Sequence, residues 1–403
     1  MNNQIAIAIG LAAGLLFGLL AAATGSSTLT NMATSVQPIG TAFVNLVRMV
    51  VIPLVATTIF TGVAGLGDPK KLGKLGGSTL AFFWSTTFIA IMIGMAVMKL
   101  ALIVAPVTVQ LIPAGEAAQE LPSTMDFLLG LIPSNPFESA ANGALLPLIV
   151  FMVLFGTAAG TLEDRYRTPL LNLAEAVTTT LIKLVRWILW TAPVGVFALA
   201  APMTATSGIA MLQNLAVFVI AVAVGLFIFV AVVYLPCVVF LGGMNLKRFI
   251  EGSSEPVIIA TGATSSAAAL PAMLEQGQAK LGVSRAVAGL VYSMGAAIGR
   301  GGSALFQGTA VIFLAALYGV SLNPAVIVSA IIAVFLVSMT VAGVPSASLV
   351  TLAPALDVAG VPFSGLAVLF GIDRIPDMLR TAVNVTGHMT TSVVVEKQIA
   401  QVQ

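Results

Sequence analysis

The feature that most constrains this chain is a succession of apolar runs, each about as long as the hydrocarbon core of a bilayer is thick. The runs are Gln4–Ala23, Ala42–Leu66, Thr79–Ala105, Ala144–Gly160 and Leu212–Leu241, and a helix needs about 20 residues to make that crossing. Only 8% of the 403 residues are charged and 59% are hydrophobic, against about 25% charged in water-soluble domains. A chain so poor in charge cannot cover a water-facing exterior, so most of its outside must meet lipid. Within lipid every backbone polar group needs an internal partner, which leaves helices or closed barrels. The runs are continuous and do not alternate with period two, so an all-α polytopic membrane protein is expected.

Charge placement suggests an orientation. Lys70, Lys71 and Lys74 follow the second run, Arg165 and Arg167 the fourth, Lys247 and Arg248 a later one, with Lys280 and Arg285 beyond. The segments Thr24–Gly40 and Ile112–Asn142 hold no lysine or arginine. The positive-inside rule then puts the amino terminus, the basic loops and the carboxyl end with Lys397 on the cytoplasmic side of an inner membrane. The first run lacks a basic residue before it and a clear cleavage site, so a retained first helix is expected. Arg48, Lys183 and Arg186 at run edges read as snorkelling to headgroups or touching a scaffold. Cys237 has no partner cysteine, which excludes a disulfide framework. The net charge of +2 gives no pointer to nucleic acid, since the basic residues sit mostly in short loops, and no nucleic-acid partner is expected.

The last 160 or so residues are organised differently. The segment 250–281 is interrupted by small and hydroxyl residues at 261–266, and the segment 325–359 at 341–346. Two half-length helices meeting at a polar tip suit a re-entrant hairpin, tolerated at membrane depth only when buried in protein or lining a wet cavity. Each is followed by a further helix, Ala286–Tyr318 (broken at 299–302) and Phe363–Ile399. Hairpin plus helix occurring twice is the internal symmetry of transporters with inverted repeats. The plainer account, small residues packing ordinary helices closely, explains one such break but not a matched pair.

On the final helix, Asp373, Asp377, Arg380, Asn384 and His388 are spaced by four, three, four and four. At about 100° per residue they share one narrow face, and Thr381 lies beside them. Ionisable residues at membrane depth are costly and usually functional. A plain Asp377–Arg380 ion pair would leave the other members of the stripe unexplained. A guanidinium fork suits a carboxylate, and an aspartate three residues away suits an ammonium group. Half-helix amino termini at the tips, near Ser265, Ser266, Ser346 and Ser348, suit a second carboxylate. The residues thus point to a small amino acid with two carboxylates.

Three motifs carry a resemblance: Thr264-Ser-Ser-Ala-Ala-Ala-Leu-Pro271, Ala342-Gly-Val-Pro345, and Gly371-Ile-Asp-Arg-Ile-Pro-Asp-Met-Leu-Arg-Thr-Ala-Val-Asn-Val-Thr-Gly387. They resemble the glutamate/aspartate transporters, the dicarboxylate/amino acid:cation symporters, and the likeness runs over nearly the whole chain. The resemblance implies eight transmembrane helices plus two re-entrant hairpins with inverted repeats, in a homotrimer. It implies a static scaffold (1–76 and 111–206) and a mobile transport domain (77–110 and 207–403) moving as an elevator. Arg380, helped by Ser303, would hold the substrate's side-chain carboxylate. Asp377, with Thr381 nearby, would take the amino group. Ser266 and Asn384 would meet the α-carboxylate together with hairpin backbone at Val344, and Ser265 and Ser348 complete the set. Family members for plain dicarboxylates lack the aspartate at position 377, so its presence favours an amino acid over a C4-dicarboxylate.

The chain departs from that family where sodium binds. The usual Asn-Met-Asp-Gly-Thr is Gly299-Arg-Gly-Gly-Ser303 here, and His388 replaces a further cation-binding aspartate. A hard cation needs several oxygen ligands, and a fixed positive charge nearby would repel it. The two sodium sites built on those carboxylates are therefore not expected, and no motif suggests another metal or a cofactor. Arg300 reads as a tethered substitute cation paired with Asp373, or as half of a structural ion pair with it. His388 reads either as a proton carrier or as a neutral hydrogen-bonding residue. Two rivals stand outside the carrier class. An intramembrane serine hydrolase could use Ser303 with His388, but gives the charged stripe no role. A channel would not need the Asp377–Arg380 pair.

Overall fold

The computed structural model describes residues 3–65, 73–107, 129–130, 132–142, 145–339, 341 and 346–400. Among them the regular structure is helical and no strand occurs. The chain opens with α1 (Asn3–Thr24), a short α2 (Ser27–Ser35), α3 (Gln37–Gly65) and α4 (Gly73–Val104). Next come α5 (Pro136–Ala141), α6 (Leu145–Gly160) and the long α7 (Asp164–Ser207). α8 begins as Ile209–Phe229 and continues through wide turns to Leu241. α9 (Leu246–Ala263), α10 (Leu270–Gln276), α11 (Arg285–Ile298) and α12 (Gly301–Leu317) follow. The chain closes with α13 (Pro324–Ser338), the short α14 (Ala347–Val350) and α15 (Ala353–Val358), α16 (Ser364–Ile372) and α17 (Arg374–Ala400).

Local chemistry marks several starts. The side chains of Asn245, Ser284 and Asn323 accept from Lys247, Val287 and Val326 backbone N–H groups and open α9, α11 and α13, satisfying donors that a helix amino end leaves free. Pro324 and Pro136 sit in the first turn, where a missing N–H costs nothing. Among the described residues, four stretches are long and apolar enough to cross a membrane: Leu75–Val104, Asp164–Thr206, Ile209–Leu241 and Arg285–Leu317. Buried positions fill 94% of the apolar window of Arg285–Leu317 but only 33% of those of Leu75–Val104 and Ile209–Leu241. The former is central and the latter two face outward.

The helix expected over 286–318 is divided at Gly299 and Arg300 into α11 and α12, as its glycines foretell. The helix expected unbroken over 363–399 is divided as well, between α16 and α17 at Asp373. Pro376 is the reason: it has no N–H for the carbonyl four residues back, so the ladder is interrupted where the charged stripe begins.

Two pairs of half-length helices fold back on themselves. In the first, α9 and α10 are antiparallel legs: Arg248 Nε donates to Lys280 O at 2.8 Å, and Gln276 Nε2 donates to Glu255 Oε2 at 2.6 Å. In the second, α13 packs on α15. Each pair has one left-handed residue at its turn, Thr264 (φ 47°) and Ser346 (φ 60°), the only non-glycine residues with positive φ among those described. That conformation costs about 1–2 kcal/mol for a residue with a Cβ, so its recurrence at both tips marks designed corners.

The most extensive contacts form two sets, joined by α16, which touches α1, α3 and α7. α1 and α3 lie along α7, and α6 lies along α3. Separately, α4 runs along α12, while α17 touches α9, α11 and α12. The α4–α12 contact is close because Gly94 has no side chain: a Cβ there would stand 2.3 Å from the Leu305 carbonyl oxygen. α12 is buried from Gly301 through Ala315, and Phe218 packs on Phe306 and Phe313 with ring centroids 5.7 and 4.8 Å apart.

Candidate functional site

The stripe on the last helix is fully enclosed. Asp373, Asp377, Arg380, Thr381, Asn384 and His388 are each no more than 6% exposed, surrounded by α12 and the two helix–turn–helix tips. Arg380 donates Nη1 to Asp373 Oδ1 at 2.6 Å and Nη2 to Asp373 Oδ2 at 3.2 Å. Its Nη2 also meets Asp377 Oδ1 at 2.7 Å, and its guanidinium lies 4.3 Å from the centre of the Phe306 ring. One planar fork thus bridges two carboxylates over an aromatic face, an arrangement an ammonium could not reproduce.

The second tip joins this trio directly. Ser346 donates its backbone N–H to Asp377 Oδ2 at 3.1 Å. Gln307, one turn beyond Ser303, donates Nε2 to the Ser348 carbonyl and to Thr351 Oγ1, both at 3.0 Å. Val344 and the rest of 342–345 lie outside the described residues. The Thr381 hydroxyl donates to the Asp377 carbonyl at 2.7 Å and is committed to its own helix.

Asn384 caps another helix. Its Oδ1 accepts from the backbone N–H groups of Gly302 (2.9 Å) and Ser303 (3.3 Å), and its Nδ2 donates to Ser303 Oγ at 3.0 Å. The α12 amino end is thereby satisfied by a side chain from α17. Gly302 makes the approach possible: a Cβ there would stand 2.4 Å from the Arg380 carbonyl oxygen.

The first tip is held by two arginines. Arg300, 2% exposed, donates Nη1 to Ser266 Oγ and Nη2 to the Ala296 carbonyl. Arg374 donates Nη1 to Thr264 Oγ1 at 3.3 Å. Ser265 Oγ accepts from the Ala268 N–H at 3.3 Å. The expected Arg300–Asp373 pair does not form. Asp373 is taken by Arg380 on the same strip of chain, seven residues away, while Arg300, at the break between α11 and α12, turns to Ser266 and the Ala296 carbonyl.

His388 donates Nε2–H to the Gly299 carbonyl at 2.8 Å and sets its ring edge against Phe83 at 5.9 Å. Its place is made by Gly295 and Gly299, where a Cβ would come within 2.7 and 2.9 Å of the imidazole. The Ser303 hydroxyl meets Asn384, while His388 meets a carbonyl, so neither is bonded to the other among the described residues. The pair lacks the nucleophile–base contact a hydrolase needs.

Several site neighbours escaped the sequence. Phe306 and Gln307 follow Ser303 by three and four residues on one helical face, a periodic signal hidden inside an apolar run. Arg374 precedes the stripe, and only the fold turns it toward Thr264.

The family profile described as the sodium:dicarboxylate symporter family matches residues 4–398. The proton/glutamate-aspartate symporter of Escherichia coli (strain K12) is 32% identical over 370 residues, covering 89% of this chain and 84% of that protein. The proton/sodium-glutamate symport protein of Geobacillus stearothermophilus is 33% identical over 374 residues, 91% of this chain and 88% of that protein. The C4-dicarboxylate transport protein of Anaeromyxobacter sp. (strain K) is 33% identical over 288 residues, 70% of this chain and 65% of that protein. These are transporters, not enzymes. A helical multi-pass membrane protein with a buried carboxylate–guanidinium site, matched from end to end by symporters, belongs to the sodium:dicarboxylate symporter family.

Proposed function

We propose that this protein carries an acidic amino acid, aspartate or glutamate, across the inner membrane by an elevator movement that does not use sodium. The observation that carries this is the buried Asp373–Arg380–Asp377 trio, tied to the second tip through the Ser346 N–H. Asp377 offers a carboxylate to a substrate ammonium. Arg380 offers a fork to a substrate carboxylate when an aspartate releases it. Closure of a tip over the solute is coupled to those same groups.

The assignments of Arg380, Asp377, Thr381, Asn384, Ser265, Ser266, Ser303, Val344 and Ser348 to substrate belong to this proposal, as do eight spanning helices with two re-entrant hairpins. Two helix–turn–helix pairs with matched left-handed corners support the hairpins. The two packing groups support a scaffold of 1–76 and 111–206 and a transport domain of 77–110 and 207–403. A homotrimer and cytoplasmic termini complete the proposal, the latter from the placement of lysine and arginine. Arg300 supports sodium independence, since a fixed guanidinium beside a cation site opposes the cation. The proton gradient is the proposed driving force, as the name of the Escherichia coli relative states for that protein. The names of the C4-dicarboxylate relatives offer a second reading, against which Asp377 stands as a ligand for an amino group.

Labelled aspartate and glutamate uptake into proteoliposomes, with sodium, potassium and pH gradients imposed one at a time, tests the proposal. Uptake should respond to an inward proton gradient and persist when choline replaces sodium. Collapse in choline would refute sodium independence, and succinate uptake without either amino acid would move the assignment to C4-dicarboxylates.

A further inference from the structure

Two guanidinium groups are buried at this site, and only one has a carboxylate. Asp373 and Asp377 are the only buried acids among the described residues, and Arg380 takes both. Arg300 forms no salt bridge among the described residues; its partners are a hydroxyl and a carbonyl, and its Nε, facing no solvent, has no hydrogen-bond partner. The tip residues 342–345 contain no acid. A buried charge without a counter-charge is strongly destabilising, and a free guanidinium edge in a dry site is an anion receptor. The charges divide sharply: the Asp373–Arg380–Asp377 trio sums to minus one and favours an ammonium, whereas Arg300 is the uncompensated cation.

We propose that Arg300, together with the Ser266 hydroxyl it holds, receives one of the two carboxylates of the transported amino acid. Arg300 is then a specificity-determining substrate ligand. The solute is held between two guanidiniums, with its amino group on Asp377. Substrate entry supplies the counter-charge that Asp373 and Asp377, taken by Arg380, do not give Arg300, and it does so at the first tip, so that tip is fastened when loaded.

The inference rests on the acidic-amino-acid reading, and the experiment separates the two. Purified protein is assayed for labelled L-aspartate binding, with L-asparagine and the α-amide of L-aspartate as competitors, each lacking one carboxylate. Wild type should bind aspartate and discriminate against both amides. R300Q should weaken aspartate binding by about tenfold or more and should lose discrimination against one amide only, the mark of coupling between that carboxylate and Arg300. Retained discrimination against both amides overturns the inference while leaving the transport reading intact. Wild type that binds neither aspartate nor glutamate overturns that reading first. If R300Q does not fold, R300K decides: it keeps the charge without the fork, and unaltered aspartate affinity overturns the proposal. Repeating the assay with gluconate in place of chloride separates the remaining source of an anion. Chloride-dependent aspartate binding that becomes chloride-independent in R300Q would assign Arg300 to an inorganic anion instead.

Discussion

Arg380 and Asp373 face each other across the break between the last two helices and form a two-pronged ion pair, 2.6 and 3.2 Å long. The same guanidinium reaches Asp377 at 2.7 Å, so the geometry depends on a planar group with several donors. Arg380→Lys is expected to lower aspartate uptake by at least about tenfold, because an ammonium cannot bridge both carboxylates and present a fork. Arg380→Ala is expected to lower stability too, by about 3–5 kcal/mol, since it leaves two buried aspartates facing each other. Initial uptake rates and thermal melts of the two variants check this, and lysine equal to wild type would contradict it.

Asn384 acts as a cap supplied in trans to α12. Asn384→Ala should reduce the melting temperature by an amount corresponding to about 0.5–2 kcal/mol, the usual worth of a cap. Asn384→Asp should keep the accepting oxygen but lose the Nδ2 donation to Ser303. Its melting temperature should fall between those of wild type and the alanine variant.

His388 braces the break after α11 through one N–H and a close fit against two glycines. His388→Gln, which retains an N–H donor, should keep uptake driven by a pH gradient. His388→Phe removes the donor to the Gly299 carbonyl and should lower both stability and uptake. Loss of gradient-driven accumulation in the glutamine variant, with binding intact, would instead identify His388 as the proton carrier.

Gly302 permits α12 to touch α17. Gly302→Ala would place a methyl 2.4 Å from the Arg380 carbonyl oxygen, and backbone on both sides leaves little room to yield. Reduced expression of folded protein and uptake below a tenth or so of wild type are expected, measurable by size-exclusion chromatography and transport. Near-normal behaviour would show that the two helices separate more freely than their packing implies.

Much of this protein was legible in order along the chain. Apolar length and scarce charge dictate membrane helices, because burying unpaired backbone polar groups in lipid is too costly. The three-and-four spacing of Asp373, Asp377, Arg380, Asn384 and His388 dictates a shared face, because helical geometry is local. Small and hydroxyl residues at 261–266 mark a corner for the same local reason, and Thr264 takes the left-handed conformation there. Partner choice was not legible. The Arg300–Asp373 pair expected from the altered sodium motif lost to Arg380, which the interruption at Pro376 brings onto Asp373 from the same stretch of chain. Asn384 and His388 found their partners on α12 and at its preceding break, more than 80 residues earlier. Which side chain meets which is settled by the short range of hydrogen bonds and contact sterics, and those distances exist only once separate helices have packed.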